Sequence, residues 1–292
     1  TGVQTCALPI STVNAQKLFE IISKIPEGVM VAMDIVDGGS RLAIAAGKAK
    51  FSLATLGAEA FPDMTKVDGG VSFEMDSVSV RKLLDKVQFA ASTDETRAYL
   101  TGVYWHVVET DGGPMLRTVA TDGHRLAKAD MPCPAGAEEM PGVILPRKCV
   151  AELRKLADES KQLKLTISPK KIQAEAVDIV LTSKVIDANY PDYNRVIPKN
   201  HKNIVTLGRA PLLASLQRTA IMTSEKFKAV RVAVEPGALK IAASNAEQEE
   251  AVDELDIDYG GDTIENGFNV TYLIDALANM DQDMVKVELS DS

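Results

Sequence analysis

Three stretches of this 292-residue chain repeat one design, and their spacing restricts the fold more than any other feature. Each sets a short apolar segment before a polar or proline step and then an amphipathic helix, at residues 12–25, 145–156 and 268–277. Lys17 aligns with Lys148, and Lys148 with Tyr272, each time at an interval of about 130 residues. Two further pairs agree. Phe61-Pro62-Asp63 and Tyr190-Pro191-Asp192 stand one such interval apart, and a strand-then-helix pattern at 71–92 returns one interval later at 205–223. Markers that share one order and nearly one interval predict tandem domains of about 130 residues, rather than a short-period solenoid.

That interval divides the chain. Residues 11–66 read as the C-terminal part of a first domain, 67–197 as a complete second, and 198–292 as a third that lacks its last strands. Thr1–Ile10 (TGVQTCALPI) has no strand or helix period and no secretory pattern, and it resembles a translated sequencing-adapter scar. It is expected to be a non-native leader, with the chain open at both ends.

Alternating or β-branched runs predict strands at 29–35, 41–46, 50–55, 71–75, 101–109, 116–121, 163–168, 172–176, 178–183, 229–235, 238–243 and 249–257. Apolar residues at helical spacing predict helices over 15–25, 78–91 and 147–160. Turns come from Asp37-Gly38-Gly39, Asp111-Gly112-Gly113-Pro114 and Glu235-Pro236-Gly237. Hairpins without regular strand–helix–strand alternation indicate an α+β fold, not a parallel sheet.

Composition narrows the function classes. With 46% hydrophobic and 25% charged residues the chain is ordinary for a folded protein, and its apolar runs are far too short to cross a bilayer. Cys6, Cys133 and Cys149 form no CxxC pair, so reduced thiols and a cytoplasmic location are expected, without a disulfide framework or a zinc site. The net charge of −9 is uneven: residues 11–66 hold 6 basic and 6 acidic groups, 67–197 hold 17 and 19, and 198–292 hold 9 and 16. Contact with nucleic acid therefore needs a locally basic face. The helices offer one. Lys17 and Lys24, then Arg81, Lys82 and Lys86, then Arg147, Lys148, Arg154 and Lys155 stand opposite apolar helix faces. One such face is ordinary solvated surface, but equivalent helices in tandem copies would line a sequence-blind phosphate-binding surface.

The most distinctive string is Thr121-Asp122-Gly123-His124-Arg125-Leu126-Ala127, where Asp122-Gly123 marks a turn between extended runs. Asp122 and His124 would suit an acid–base pair. No nucleophile elbow, metal-ligand spacing or glycine-rich phosphate loop completes a catalytic site. A structured loop or binding rim is the simpler reading, and an enzyme using Asp122 and His124 is the alternative from another class.

With Phe61-Pro62-Asp63, Tyr190-Pro191-Asp192-Tyr193, Ser224-Glu225-Lys226-Phe227, Glu247-Gln248-Glu249-Glu250 and Gly267-Phe268-Asn269-Val270-Thr271-Tyr272, that string resembles the bacterial DNA sliding clamps, the β subunits of DNA polymerase III. The resemblance spans residues 11–292. It implies tandem copies of the DNA-clamp domain, with helices lining a ring and antiparallel sheets outside. It also implies a head-to-tail homodimer that encircles double-stranded DNA, without catalysis, cofactor or metal. The implied partners are duplex DNA of any sequence, the polymerase III catalytic subunit, the clamp loader, and other polymerases and repair proteins with clamp-binding motifs; no membrane is involved. A clamp-like adaptor that keeps a peptide cleft but no longer encircles DNA is the second alternative.

The resemblance assigns sites as well. A peptide-binding cleft between the second and third domains is implied at Leu100, Thr121, Gly123, His124, Arg125, Leu126, Pro191, Arg195, Val196, Phe227, Asn269 and Tyr272. Family DNA contacts fall on Arg97, Tyr99 and Lys148, joining Arg81, Lys82, Arg147 and Arg154 of the basic helices. The subunit interface is implied at Lys48, Lys50, Phe51 and Leu53 against Ile221, Met222, Glu247, Glu249 and Glu250. Strand alternation sets Lys48 and Lys50 on one side and Phe51 and Leu53 on the other.

Overall fold

Three of the extended runs in this chain turn into helices through capping side chains. Asn14 and Asp76 accept the backbone N–H groups of Lys17 and Ser79 at 3.0 and 2.8 Å, and Asn269 accepts that of Thr271 at 3.0 Å. Each cap satisfies a donor that a helix start leaves free, worth about 1 kcal/mol. These contacts come from a computed structural model that describes residues 11–57, 67, 69–199 and 201–289. The chain separates into two units, Thr1–Thr65 and Lys66–Ser292.

In the first unit, β1 (Ser11–Thr12) leads into α1 (Ala15–Ser23), and β2 (Val31–Val36), β3 (Arg41–Ala46) and β4 (Ala49–Ala54) form an antiparallel meander. β5 (Leu56–Gly57) returns to pair with β1. Leu42 and Ile44 of β3 are buried and oppose Leu53 and Phe51 of β4, so these four share one face of the sheet. Phe51 and Leu53 line a groove with Ile21 of α1. Lys50 stands on the opposite face, as alternation predicts. Lys48 does not belong to the strand: it sits in the hairpin turn with Gly47, whose φ of +60° suits glycine. Phe61-Pro62-Asp63 lies outside the described residues.

The second unit runs through one order of elements repeatedly. β6 (Val71–Asp76) and α2 (Ser77–Asp85) precede the meander β7 (Gly102–Thr110), β8 (Gly113–Thr121) and β9 (Leu126–Pro132). β10 (Val143–Pro146) and α3 (Arg147–Glu159) precede the meander β11 (Gln162–Ile167), β12 (Lys171–Ala176) and β13 (Ile179–Lys184). The strands form sheets β10-β7-β8-β9 and β13-β12-β11-β6. Val80, Leu83 and Leu84 of α2 and Val150, Leu153 and Leu156 of α3 share one buried core with Trp105, Leu116, Leu163 and Leu165. Each such side chain contributes about 1.5–3 kcal/mol by burial, offset by the entropy of ordering it. Gly102 is needed where β7 meets β10, because a Cβ there would lie 2.4 Å from the Leu145 carbonyl oxygen.

The order starts again with β14 (Asn203–Gly208), α4 (Arg209–Ala220), β15 (Ala229–Glu235), β16 (Ala238–Ser244) and β17 (Glu250–Asp256). β18 (Ile264–Asn269), α5 (Val270–Ala278) and β19 (Met284–Leu289) follow. The sheet β18-β15-β16-β17 has the same order as β10-β7-β8-β9, and β19 pairs with β14 as β11 pairs with β6. The tandem repetition read from sequence has a finer grain in the fold. Helices begin at Ala15, Ser77, Arg147, Arg209 and Val270, so strand, helix and meander recur at about half the interval that the sequence markers give.

Beyond shifts of up to three residues at element ends, one helix and one strand differ most from expectation. The helix expected over 78–91 ends at Asp85, since Val87 leaves helical geometry (φ −130°, ψ −27°) before a short 3-10 turn at Gln88–Ala90. β9 was not anticipated. It is an edge strand paired only with β8, and its small or charged residues Ala127, Lys128, Ala129 and Asp130 dilute the apolar alternation.

Candidate functional site

The Thr121–Leu126 string closes the β8–β9 hairpin with its own side chains. Asp122 accepts the backbone N–H groups of His124 at 2.9 Å and Arg125 at 3.0 Å. Thr121 Oγ1 accepts the Gly123 N–H at 3.1 Å and donates to the Arg125 carbonyl. Gly123 has φ +90°, and a Cβ there would meet Arg97 at 2.9 Å. Burial works to raise the Asp122 pKa, but the His124 and Arg125 N–H groups and the Arg125 charge outweigh it and hold the carboxyl below its ordinary value. Both Asp122 oxygens are engaged within the turn, so no acid–base pair with His124 forms.

Arg125 ties this turn to α5. Its guanidinium donates to Asp122 at 3.1 Å, to the Phe89 carbonyl at 2.9 Å and to Asp275 of α5. It lies over the Phe89 ring at 5.4 Å and the Tyr272 ring at 4.7 Å, and the His124 ring stacks on Tyr272 at 6.2 Å. Three of its five N–H donors are taken up by these groups. Arg125 therefore holds the shape of the junction while lining the cleft beside it.

Beside this junction opens a cleft of about 460 Å³, walled by Tyr99, Leu100, Thr121, Gly123, His124, Arg125, Leu126, Pro191, Asp192, Tyr193 and Val196. Of the residues the resemblance implies for it, Leu100, Thr121, Gly123, His124, Arg125, Leu126, Pro191 and Val196 line it, and Tyr272 meets it through His124 and Arg125. Arg195, Phe227 and Asn269 stand outside the lining. Arg195 pairs with Asp192 at 3.0 Å with its side chain 84% exposed, Phe227 is exposed ahead of β15, and Asn269 caps α5. Asp192 and Tyr193 were missed, although the Tyr190-Pro191-Asp192-Tyr193 string carried the signal.

The basic helix residues meet a different environment. Arg81 pairs with Asp158 at 2.8 Å and Arg154 with Asp85 at 2.6 Å, each linking α2 to α3. Lys86 reaches the Asn279 carbonyl and the Asp281 carboxylate, both at 2.7 Å. Lys82, Arg147 and Lys148 are exposed, with no ion pair among the described residues. The face is thus mixed in charge, because Asp85 and Asp158 offset two of its cations. Arg97 and Tyr99 lie elsewhere: Arg97 pairs with Asp94 at 3.0 Å beside Gly123, and Tyr99 lines the cleft.

The residues expected at a subunit boundary lie on edge strands, a turn and a helix end. β4 and β17 are each outermost in their sheets. Ile221 follows α4 and is 74% exposed, whereas Met222 packs against the third-domain core. Glu247 and Glu249 belong to a turn, not to the strand expected from Glu249 onward, because Asn245 accepts their N–H groups at 3.1 and 2.9 Å. Glu250 opens β17. Among the described residues, no helix is long and apolar enough to cross a membrane, and no group of three or more acidic, His or Cys residues is arranged to hold a metal.

Strand–helix–meander halves, with two helices backing two antiparallel sheets, define the class of DNA clamps. The family described as DNA polymerase III beta subunit, central domain, matches residues 74–192, and its C-terminal domain family matches 194–292. The beta sliding clamp of Caulobacter vibrioides (strain NA1000 / CB15N) is 43% identical over 265 residues, covering 90% of this chain and 71% of that protein. A crystal structure of the C. crescentus beta sliding clamp with bound polyethylene glycol matches at TM-score 0.85 and 41% identity, covering 96% of this chain and 75% of that one. The DNA polymerase III subunit beta of Bartonella birtlesii bound to griselimycin matches at TM-score 0.81 and 37% identity, with the same coverage of 96% and 75%. This chain belongs to the bacterial DNA polymerase III beta sliding-clamp family: it is a processivity factor of DNA replication and not an enzyme. The catalytic alternative at Asp122 and His124 falls with that assignment.

Proposed function

We propose that this chain acts as a head-to-tail homodimer around double-stranded DNA. It tethers the polymerase III catalytic subunit, the clamp loader and other polymerases and repair proteins through short peptides seated in the cleft beside the β8–β9 turn. Residues 11–66, 67–197 and 198–292 are its domains, and it works in the cytoplasm. One observation carries this reading: three separated segments, 99–100, 121–126 and 191–196, converge on one cleft. Leu100, Leu126, Pro191 and Val196 suit a leucine or aromatic side chain, and Thr121 and Asp192 suit a polar neighbour such as glutamine.

DNA contact falls on the α2 and α3 face. Lys82, Arg147 and Lys148, exposed and without ion pairs among the described residues, suit phosphates of any sequence. Arg81 and Arg154 add charge while also bracing α2 against α3. Ring closure brings an edge, β4 with Lys48, Lys50, Phe51 and Leu53, against β17 of a second copy, with Ile221, Met222, Glu247, Glu249 and Glu250. Unpaired strand edges with apolar side chains and opposite charges favour such pairing. The test is topological. Protein loaded on a closed DNA circle is expected to stay bound and to be lost when the circle is cut; equal loss from intact and cut circles would exclude encirclement.

A further inference from the structure

Tyr193, in the wall of the cleft, is held from behind by side chains that do not line it. Its hydroxyl lies 3.0 Å from Nε2 of His106 on β7 and 3.2 Å from Nη1 of Arg117 on β8. Arg117 is fixed in turn by a two-pronged pair with Asp130 of β9, at 2.7 and 2.8 Å. Aromatic rings pin the same segment. Tyr190 stacks on Tyr104 at 4.7 Å, Tyr104 on His106 at 4.4 Å, and Tyr193 meets His106 edge-on at 5.8 Å.

One direction along the chain of hydrogen bonds gives every group a partner. A guanidinium only donates, so the Tyr193 oxygen accepts from Arg117 and turns its own hydrogen toward His106 Nε2. That arrangement satisfies all three groups when His106 is neutral with its proton on Nδ1. Its surroundings keep it so: burial, then the Arg117 charge, outweigh the opposing pull of Asp130 and push its pKa down to about 4. Tyr104, Tyr193, Arg117 and Asp130 are the titratable or charged groups that face it from the packed elements. Tyr193 itself is only 5% exposed, and Pro191 and Val196 of the same short segment complete the wall.

We propose that Asp130, Arg117, Tyr193 and His106 form a positioning network for the cleft. By fixing the Tyr193 ring, the network sets where the 191–196 wall stands, and so how tightly the cleft holds an apolar side chain of a partner peptide. His106, Arg117 and Asp130 act through Tyr193 and touch no ligand. This deepens the peptide-cleft reading above and rests on it.

Anisotropy of a fluorescein-labelled Gln-Leu-Ser-Leu-Phe peptide with the full chain tests the network, with thermal melting as a control for folding. Tyr193→Phe keeps the ring and removes the hydroxyl, and His106→Leu removes the acceptor. Each is expected to weaken binding about 5- to 10-fold, the effect of one partly buried hydrogen bond. His106→Gln, which can still accept, is expected to bind within about twofold of wild type, and the double variant Tyr193→Phe/His106→Leu no worse than either single, since both break one bond. Wild-type affinity in a folded Tyr193→Phe, additive losses in the double variant, or no rescue by Gln would each overturn the network while leaving the cleft in place. If His106→Leu fails to fold, Tyr193→Phe against His106→Gln decides alone. A wild-type protein that does not bind the peptide would instead overturn the cleft reading, and the network with it.

Discussion

The cleft and the α2–α3 face both present arginines, and they hold them in opposite ways. The Arg125 side chain is 20% exposed and gives its donors to two carboxylates and a carbonyl, between two rings. Those of Arg81 and Arg154 are 45% and 41% exposed and rest on Asp158 and Asp85 across a helix pair. If the cleft recognises the shape of a peptide, as proposed, it needs fixed walls, and there arginine is part of the architecture. If the helix face meets phosphates without regard to base sequence, as proposed, loosely held cations suffice, and there arginine stays near solvent.

The largest expected effect tests that contrast at its strongest point. Arg125→Ala strands Asp122, Asp275 and the Phe89 carbonyl without their donor, and it is expected to lower the unfolding free energy by about 3 kcal/mol in urea titration. Arg125→Lys recovers little, because one ammonium cannot serve acceptors arranged around a planar fork. Arg81→Ala or Arg154→Ala, at exposed pairs, should cost about 0–1 kcal/mol each. Equal losses at the two sites would break the comparison.

A third surface calibrates both. Ile221→Ala removes the exposed apolar side chain of the proposed subunit boundary and, with Met222→Lys at the half-buried position beside it, is expected to cost about 2 kcal/mol or more of dimerisation free energy, thermal melting controlling for the packing of Met222 against the core. Sedimentation should show monomers that still bind peptide. Reversing Glu247, Glu249 and Glu250 should cost less, since exposed ion pairs are worth about 0–1 kcal/mol each.

Acid sharpens the contrast on the cleft side. The folded-state pKa of His106, about 4, lies below its unfolded value of 6.5, so the folded protein binds fewer protons. This stability is present in full above pH 6.5 and is lost as the pH falls toward 4. The loss should amount to about 1–2 kcal/mol once solvent screening of a half-buried ring is allowed for, and His106→Gln should remove that part of the pH profile. On the helix face the smallest effect is expected: Lys82→Ala, Arg147→Ala or Lys148→Ala should each reduce the slope of log affinity for DNA against log salt by about one, whereas Arg125→Ala should leave it unchanged.

Much of this was legible in the sequence, and the unread parts have physical reasons. The Thr121–Leu126 string was recognisable because its turn is closed by its own Thr, Asp and Gly residues. The α3 strand-to-helix boundary was recognisable through Pro146 and the apolar spacing of Val150, Leu153 and Leu156. The half-domain repeat was hidden, since Asp76 and Asn269 cap their helices with side chains whereas Pro146 and Gly208 begin theirs without one. Charge balance on α2 and α3 was also hidden, because Arg81 meets Asp158 from far along the sequence. Lys48 was misplaced by one strand end, where Gly47 imposes a turn that alternation does not register.

The partner-binding role of the cleft is tested most directly by calorimetry with a Gln-Leu-Ser-Leu-Phe peptide on the wild type and on Arg125→Ala/Leu126→Ala. The wild type should bind one peptide per chain, and the double variant, with its junction loosened and an apolar wall removed, should lose about 2 kcal/mol or more, roughly 30-fold in affinity. Unchanged binding in a folded double variant would contradict the assignment of the cleft.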